Sequence, residues 1–448
     1  MPIVNGHNVG KPGPVSRSRL LGLMPLFVLA GACVSNPHTI DLMPAPSVFA
    51  GWEINPLPKG SPPVSYDDFG MLYATDRKPA ESPYEIPFYL NEPGFVLRLG
   101  SARVKAGPEG MDWEEARRIS LAKNRTTDYP LQVLSVDETG VLASTYTFIT
   151  QPDPPPTTPD QAGKQFAELI DERLAGSGIK DVYIYIHGYR VVFDNPVLVA
   201  SELWHFLGYR GAFIAYAWRS TPRTLAYASD TETTVTRARN LRLLLTYLAE
   251  KTQVERIHII GYSAGARLVL RALEQLALLN ADATDDQIRK NVRIGSVVFI
   301  GADVSREGFG AATAEGLLRI PERTTVYVSS ADIALNISQW IFGRERLGQM
   351  WADGIPPRVA EFVRENTSLE IVDVTDAAGA TSGDGHSYFR DSPWVSSDML
   401  TYLAHNVGPA RRGLVKAADD VPVWTFPPDY IERLRKVLVE MNPSLAGG

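Results

Sequence analysis

The hydrophobic pattern of the chain changes character near Asp160. From there apolar residues follow two alternating rhythms. Phe166, Leu169, Ile170 and Leu174 recur at helical spacing, and Asp181–Ile186 is then a dense apolar run too short for a helix. Such a run predicts a strand buried on both faces. The alternation continues with a helix near Pro196–Leu207, a strand Ala212–Trp218, a helix over about Thr233–Lys251 and a strand Arg256–Ile260. A helix at about Ala266–Leu279 leads to a strand Ser296–Ile300, and strands Thr324–Ser329 and Leu369–Val374 precede a helix near Trp394–His405. Strands separated by helices imply right-handed βαβ units, a doubly wound and mostly parallel sheet, and ligand binding beyond the carboxyl ends of the strands. The expected fold class is therefore α/β, with helices on both faces of the sheet.

The first third of the chain reads differently. Gly70–Thr75, Val96–Gly100 and Val141–Ile149 are short runs of β-formers separated by Pro and Gly, which predicts an N-terminal β-rich extension. Pro37 to Pro63 shows poor periodicity and reads as a tether or unstructured leader, and the proline cluster in Gln151–Pro159 reads as a linker. The expected division is a signal over 1–33, a Pro-rich tether over 34–65, a β-rich region with linker over 66–159, a catalytic domain over 160–408 and a C-terminal extension over 409–448. The extension is expected to carry a last helix from Tyr430 to Met441.

Charge and cysteine content narrow the function classes. The 448-residue chain has a net charge of −7 and no long Lys/Arg run, which argues against a nucleic-acid partner. One Cys, seven His and no HExxH or CxxC spacing argue against metal chemistry. The lone Cys33 matters for another reason. Arg17 and Arg19 precede an apolar stretch, Leu20–Ala32, that is too short to span a bilayer and ends in Ala30-Gly31-Ala32. This describes a secretory signal, and cleavage after Ala32 would leave Cys33 as the first residue, as in a bacterial lipoprotein. A lipoprotein signal usually has Leu three positions before the Cys, where this chain has Ala30. The expectation is export to the bacterial cell envelope. Cys33 is expected to carry a lipid and to anchor the protein to the outer membrane facing the periplasm; without the lipid the protein would be periplasmic or secreted.

The chemistry sits at strand ends. Gly261-Tyr262-Ser263-Ala264-Gly265 matches G-x-S-x-G, and it lies between a strand and a helix, the setting in which that motif makes a nucleophile turn. The turn projects the Ser263 hydroxyl, and the helix N-terminus behind it lets the Ala264 N–H donate to an oxyanion. Outside that setting the same pentapeptide is only a Gly-rich turn with an idle Ser. His187-Gly188-Tyr189 ends an earlier buried strand, and in this fold such a turn gives the second oxyanion donor, here the Tyr189 N–H. His187 itself is a poor base candidate, because the triad order in this fold is Ser, acid, His.

Only His386 and His405 follow Ser263. His405 falls in a helical pattern, whereas His386 lies in the Gly-rich loop Thr381–Ser387 after the last strand of the catalytic domain, where a base can reach back to the nucleophile. For the acid, Asp332 follows the penultimate strand and Asp303 follows the strand before it. Asp332 is preferred and Asp303 is the alternative acid; either could instead serve as a helix cap or turn residue.

With these residues in view, the chain resembles the bacterial α/β-hydrolase family known as DUF900. The likeness rests on Tyr73-Ala74-Thr75-Asp76-Arg77, His187-Gly188-Tyr189, Ala217-Trp218-Arg219-Ser220, Gly261–Gly265, Ser329-Ser330-Ala331-Asp332 and Gly385-His386-Ser387-Tyr388-Phe389. It implies a Ser263–Asp332–His386 triad, a structural Asp303 and esterase-like chemistry without a settled substrate. The family usually has Asn where this chain has Arg190. The expected reaction is acyl transfer from a small-molecule or lipid ester through an acyl-enzyme, with no cofactor. The alternatives are a thioesterase or amidase on the same apparatus, or a catalytically silent binding or scaffold lipoprotein. The segment Ser220–Thr233, with Trp218, Tyr227 and Asp230, and separately Ile341–Arg364 with Trp351, are candidates to line or cap the pocket; packing beneath a loop is the plainer role for each aromatic.

Overall fold

A computed structural model describes residues 36–50, 54–57, 69–149, 159–189, 191–220, 227–351, 354–418 and 420–441. The signal segment with Cys33, most of the linker before Pro159, and Arg190 lie outside the described residues, as do the side chains of Tyr227 and Asp230.

The strands, in chain order, are β1 (Thr39–Asp41), β2 (Phe69–Pro79), β3 (Tyr89–Ala106), β4 (Pro130–Val141), β5 (Asp181–Ile186), β6 (Ala212–Ala217), β7 (Arg256–Tyr262), β8 (Ile294–Ile300), β9 (Arg323–Val328), β10 (Leu369–Asp373), β11 (Val415–Ala418) and β12 (Val421–Thr425). They form one 12-stranded sheet in the order β1-β4-β3-β2-β6-β5-β7-β8-β9-β10-β12-β11. From β2 through β12 each neighbouring pair is parallel, and antiparallel strands extend the sheet at both ends. The central apolar runs follow from this placement. In β5, Tyr183 and Tyr185 enter one core while Val182, Ile184 and Ile186 enter the other, so every position is buried.

The helices are α1 (Trp113–Ser120), α2 (Pro159–Ser177), α3 (Asp194–Phe206), α4 (Tyr227–Lys251), α5 (Gly265–Leu279), α6 (Asp285–Val292), α7 (Arg306–Ala314), α8 (Ile333–Phe342), α9 (Pro357–Glu365), α10 (Tyr388–Asp391), α11 (Pro393–His405) and α12 (Tyr430–Met441). Apolar residues of α3, α11 and α12 pack on one face of the sheet, and those of α2, α4, α5 and α6 on the other. The architecture is the α/β class expected from the hydrophobic rhythm. Among the described residues no helix is long and apolar enough to cross a membrane.

Three expectations need correction. The described part of the expected tether is folded: Thr39–Asp41 pair with β4, and Leu42, Met43, Val48, Phe49, Ile54 and Leu57 are buried in the core beside α3 and α11. Prolines suppress periodicity there, but an extended segment can bury apolar residues without any period. The expected strand Val141–Ile149 is instead the end of β4 followed by a 3-10 turn, Ala143–Thr145. The β-rich region and the C-terminal extension are not separate from the catalytic part, because β2 pairs with β6 and β12 pairs with β10. All the described residues belong to one unit, Asn36–Gly448.

Candidate active site

The strand β7 ends at Tyr262 and α5 begins at Gly265, so Ser263 occupies the intervening turn. It holds φ +53°, a left-handed conformation that costs a non-glycine residue about 1–2 kcal/mol. Surrounding structure imposes that geometry. The Ser263 N–H donates to Ile300 O (2.9 Å), while Ser263 O accepts from Ala266 N (3.1 Å) and Asp303 N (3.2 Å). The turn is pressed against His187-Gly188: a Cβ on Gly188 would lie 2.9 Å from the Ser263 Cβ, and one on Gly265 would lie 2.4 Å from His187 O. Glycine is required at both positions for backbone to pass this close. Tyr189, half-buried, and Ala264, at the amino end of α5, therefore flank the serine. First-turn amides of a helix lack intrahelical partners and are available to an anion.

The acid and the imidazole meet on the same edge of the sheet. Asp332 follows β9 and is fully buried. Its Oδ1 accepts the Leu335 N–H (2.9 Å), capping α8, and its Oδ2 accepts the His386 Nδ1–H at 2.7 Å. Burial lowers the pKa of His386, but the hydrogen bond and charge of Asp332 outweigh that, and the net shift is upward. The carboxylate thus fixes the tautomer that leaves Nε2 to act as a base. The His386 loop is tied down by Asp384, whose Oδ1 accepts the His386 N–H (3.1 Å) and whose carbonyl accepts the Ile333 N–H (3.1 Å). The Tyr262 ring packs beside the imidazole at 5.1 Å, and its hydroxyl lies 3.2 Å from Ser387 Oγ. No hydrogen bond joins Ser263 Oγ to His386 among the described residues. Such bonds are often long in a free enzyme and tighten when substrate binds.

Asp303 has other partners. It pairs with Arg267 (2.7 Å) and Arg346 (3.2 Å) and accepts from Ser338 Oγ (2.6 Å), which occupies both its oxygens away from His386. His405 lies at the end of α11. His187 is buried and stacked on Trp218 at 5.2 Å and 9°, with ring nitrogens near Gly188 O (2.5 Å) and Trp218 O (3.1 Å). Burial first, then the nearby Arg77 charge, lower its pKa to about 3, against the two carbonyl contacts, which raise it. Trp218 does not line a pocket as one of the candidates: it is fully buried, and its indole N–H donates to His187 O (2.7 Å).

The family comparison can now be read against this geometry. The model of a family described as alpha/beta hydrolase of unknown function (DUF900) matches residues 162–402. The chain belongs to that family. No curated protein matches it.

The DUF900 match contains the serine turn, the His187 turn, Asp332 and His386, but not β2. Yet β2 delivers two residues that brace the site, Asp76 and Arg77, both fully buried. The Arg77 Nε–H donates to Trp218 O (3.1 Å) and Ala217 O (3.3 Å), Nη2 donates to Val191 O (3.0 Å), and Nη1 bonds Asn91. One guanidinium therefore holds the carboxyl end of β6 to the chain just beyond Tyr189. Asp76 accepts the Arg219 N–H (2.8 Å) and pairs with Arg237 (3.3 Å). Sequence reasoning singled out Tyr73–Arg77 as a likeness without giving it a task. A charged pair at the end of an apolar strand was the available signal. Tyr388 was missed in the same way: its hydroxyl accepts the Gly301 N–H (2.5 Å) and donates to Tyr327 O (3.2 Å), fixing the ends of β8 and β9.

Proposed function

We propose that this chain is a serine hydrolase of carboxylic esters, with Ser263 as nucleophile, His386 as general base and acid, and Asp332 orienting the imidazole. The observation that carries the reading is the 2.7 Å Asp332–His386 pair, buried at the sheet edge where Ser263 occupies a left-handed turn. His386 takes the Ser263 proton as Oγ attacks the ester carbonyl, and the Tyr189 and Ala264 amides hold the oxyanion. Each such donor contributes on the order of 3 kcal/mol to the transition state. The tetrahedral intermediate collapses, His386 gives its proton to the departing alcohol, and water activated by the same imidazole hydrolyses the acyl-enzyme.

The test is labelling by a fluorophosphonate, followed by turnover of p-nitrophenyl esters of increasing acyl length, with wild type and Ser263→Ala compared. Labelling and turnover in wild type, both lost in the variant, are expected. A folded wild-type protein that is neither labelled nor active would overturn the reading and favour a binding protein on this fold. Turnover of thioesters or amides in preference to esters would move the substrate class and keep the mechanism.

We further propose that the mature protein begins at Cys33 and is anchored by lipid in the cell envelope, on the signal-like stretch Leu20–Ala32 before it. Metabolic labelling with a palmitate analogue in a bacterial host should mark wild type and not Cys33→Ser. Equal labelling of both would reject the anchor.

A further inference from the structure

A cavity of about 360 Å³, away from the serine turn, opens between α7, α9 and the sheet face made by β9 and β10. Phe309, Val326, Leu347, Trp351, Phe362 and Ile371 are among the residues that wall it, and none of Ser263, His386, Tyr189 or Ala264 takes part. Its size lies within the range of small-molecule sites, about 300–1,000 Å³. At roughly 30 Å³ per water-sized group it accommodates about a dozen chain atoms.

The polar groups of this cavity share a sign. Among the described residues, the charged side chains that line it are Arg306 and Arg358, and no acidic residue does. Arg306 stacks on Trp351 at 4.0 Å and is balanced by Glu345, but its Nε–H is buried without a hydrogen-bond partner. Thr313 Oγ1, also in the lining, is buried and unpartnered as well. Arg358 is exposed and has no ion-pair partner among the described residues, so the net positive charge is at the cavity's edge. An apolar interior bordered by two guanidinium groups, one of them exposed and without an ion-pair partner among the described residues, fits a molecule with one alkyl chain and one anionic head.

We propose that this cavity binds a single-chain alkyl carboxylate, the chain lying among Phe309, Phe362 and Ile371 and the carboxylate on Arg306 and Arg358. This site goes beyond the ester hydrolysis proposed above and does not depend on it. Isothermal titration of the Ser263→Ala full chain with butanoate, hexanoate, octanoate and 1-octanol tests it. Affinity should rise about fourfold per added methylene, the equivalent of ~0.8 kcal/mol each. Octanoate should bind at least tenfold more tightly than 1-octanol, and Arg358→Ala should erase that difference. Val359→Trp, which fills the cavity from α9, should weaken octanoate at least tenfold while the thermal unfolding temperature stays near that of the parent. Absence of saturable octanoate binding overturns the proposal. So does equal affinity for octanoate and octanol, or undiminished binding to a folded Val359→Trp, which would place the ligand elsewhere.

Discussion

At the scale of single residues, Asp332 serves two purposes that looked like alternatives in the sequence. Its Oδ1 caps α8 and its Oδ2 holds His386, so the helix cap fixes the carboxylate that orients the base. Asp303, the other candidate, has the same residue type after a neighbouring strand but is taken up by Arg267, Arg346 and Ser338. Nothing local to either Asp separates them, since the distinction is made by which distant side chains the fold delivers. The pH dependence of the proposed activity follows from the pair. The base works only when neutral, so kcat/KM should rise as pH increases through the His386 pKa. Because Asp332 stabilises the imidazolium more than burial destabilises it, the midpoint of that rise should lie above the ordinary 6.5. Asp332→Asn should lower kcat by about 10³–10⁴-fold and shift the midpoint down. A pH–rate profile of p-nitrophenyl ester turnover checks both, and an unchanged midpoint in the variant would detach Asp332 from the base.

At the scale of elements, the parallel strands were legible because both of their faces are buried, which leaves an unbroken apolar run between helical patterns. The serine turn was legible for a related reason, since its glycines, strand and helix are contiguous. Several helices were not. The α6 helix has a capping box, Thr284 with Gln287, but it is only 8 residues long and buries Ile288 and Val292, too few apolar positions for a repeat to stand out. The segment 36–50 was illegible because the residues that bury its apolar side chains and pair its strand lie far away in the sequence. Glu202 of α3, fully buried, accepts the Met43 N–H (3.0 Å) and pairs with Arg390, the residue that follows Phe389 in α10, just past the His386 loop. Removing one member of a buried pair leaves the other charge uncompensated, at a cost of about 3–5 kcal/mol. Since Arg390 keeps 22% side-chain exposure, Glu202→Ala should cost about 3 kcal/mol, the lower end of that range. Glu202→Ala with Arg390→Met should recover part of the loss. Urea unfolding midpoints measure both, and a single variant within about 1 kcal/mol of wild type would show that the pair does not hold the segment.

At the scale of the whole molecule, the C-terminal residues complete the sheet that carries the site. Arg412, fully buried, sits between Asp398 of α11 and Glu370 of β10, at 2.9 Å from each. Tyr327 of β9 donates to the same Asp398 (2.6 Å), and Arg323 pairs with Glu370 (2.5 Å). This network ties the strand preceding Asp332 to a residue beyond the expected domain boundary. Chain ending at Val407 would lose Arg412 and leave two buried carboxylates without their shared cation. It would also expose β10 as an unpaired edge and uncover the surface now packed by Leu414, Phe426, Tyr430 and Leu434. Burial already raises the pKa of Asp398 against the pull of Arg412, so without the guanidinium it would be driven further towards the neutral form. The truncated protein should therefore aggregate or fail to take a fluorophosphonate label, whereas Arg412→Lys in the full chain should stay folded with a lowered unfolding midpoint. Gel filtration with labelling distinguishes these outcomes. A monomeric, labelled truncation would mean that β9, β10 and the acid turn hold their places without the C-terminal strands, and that the boundary at residue 408 divides the protein after all.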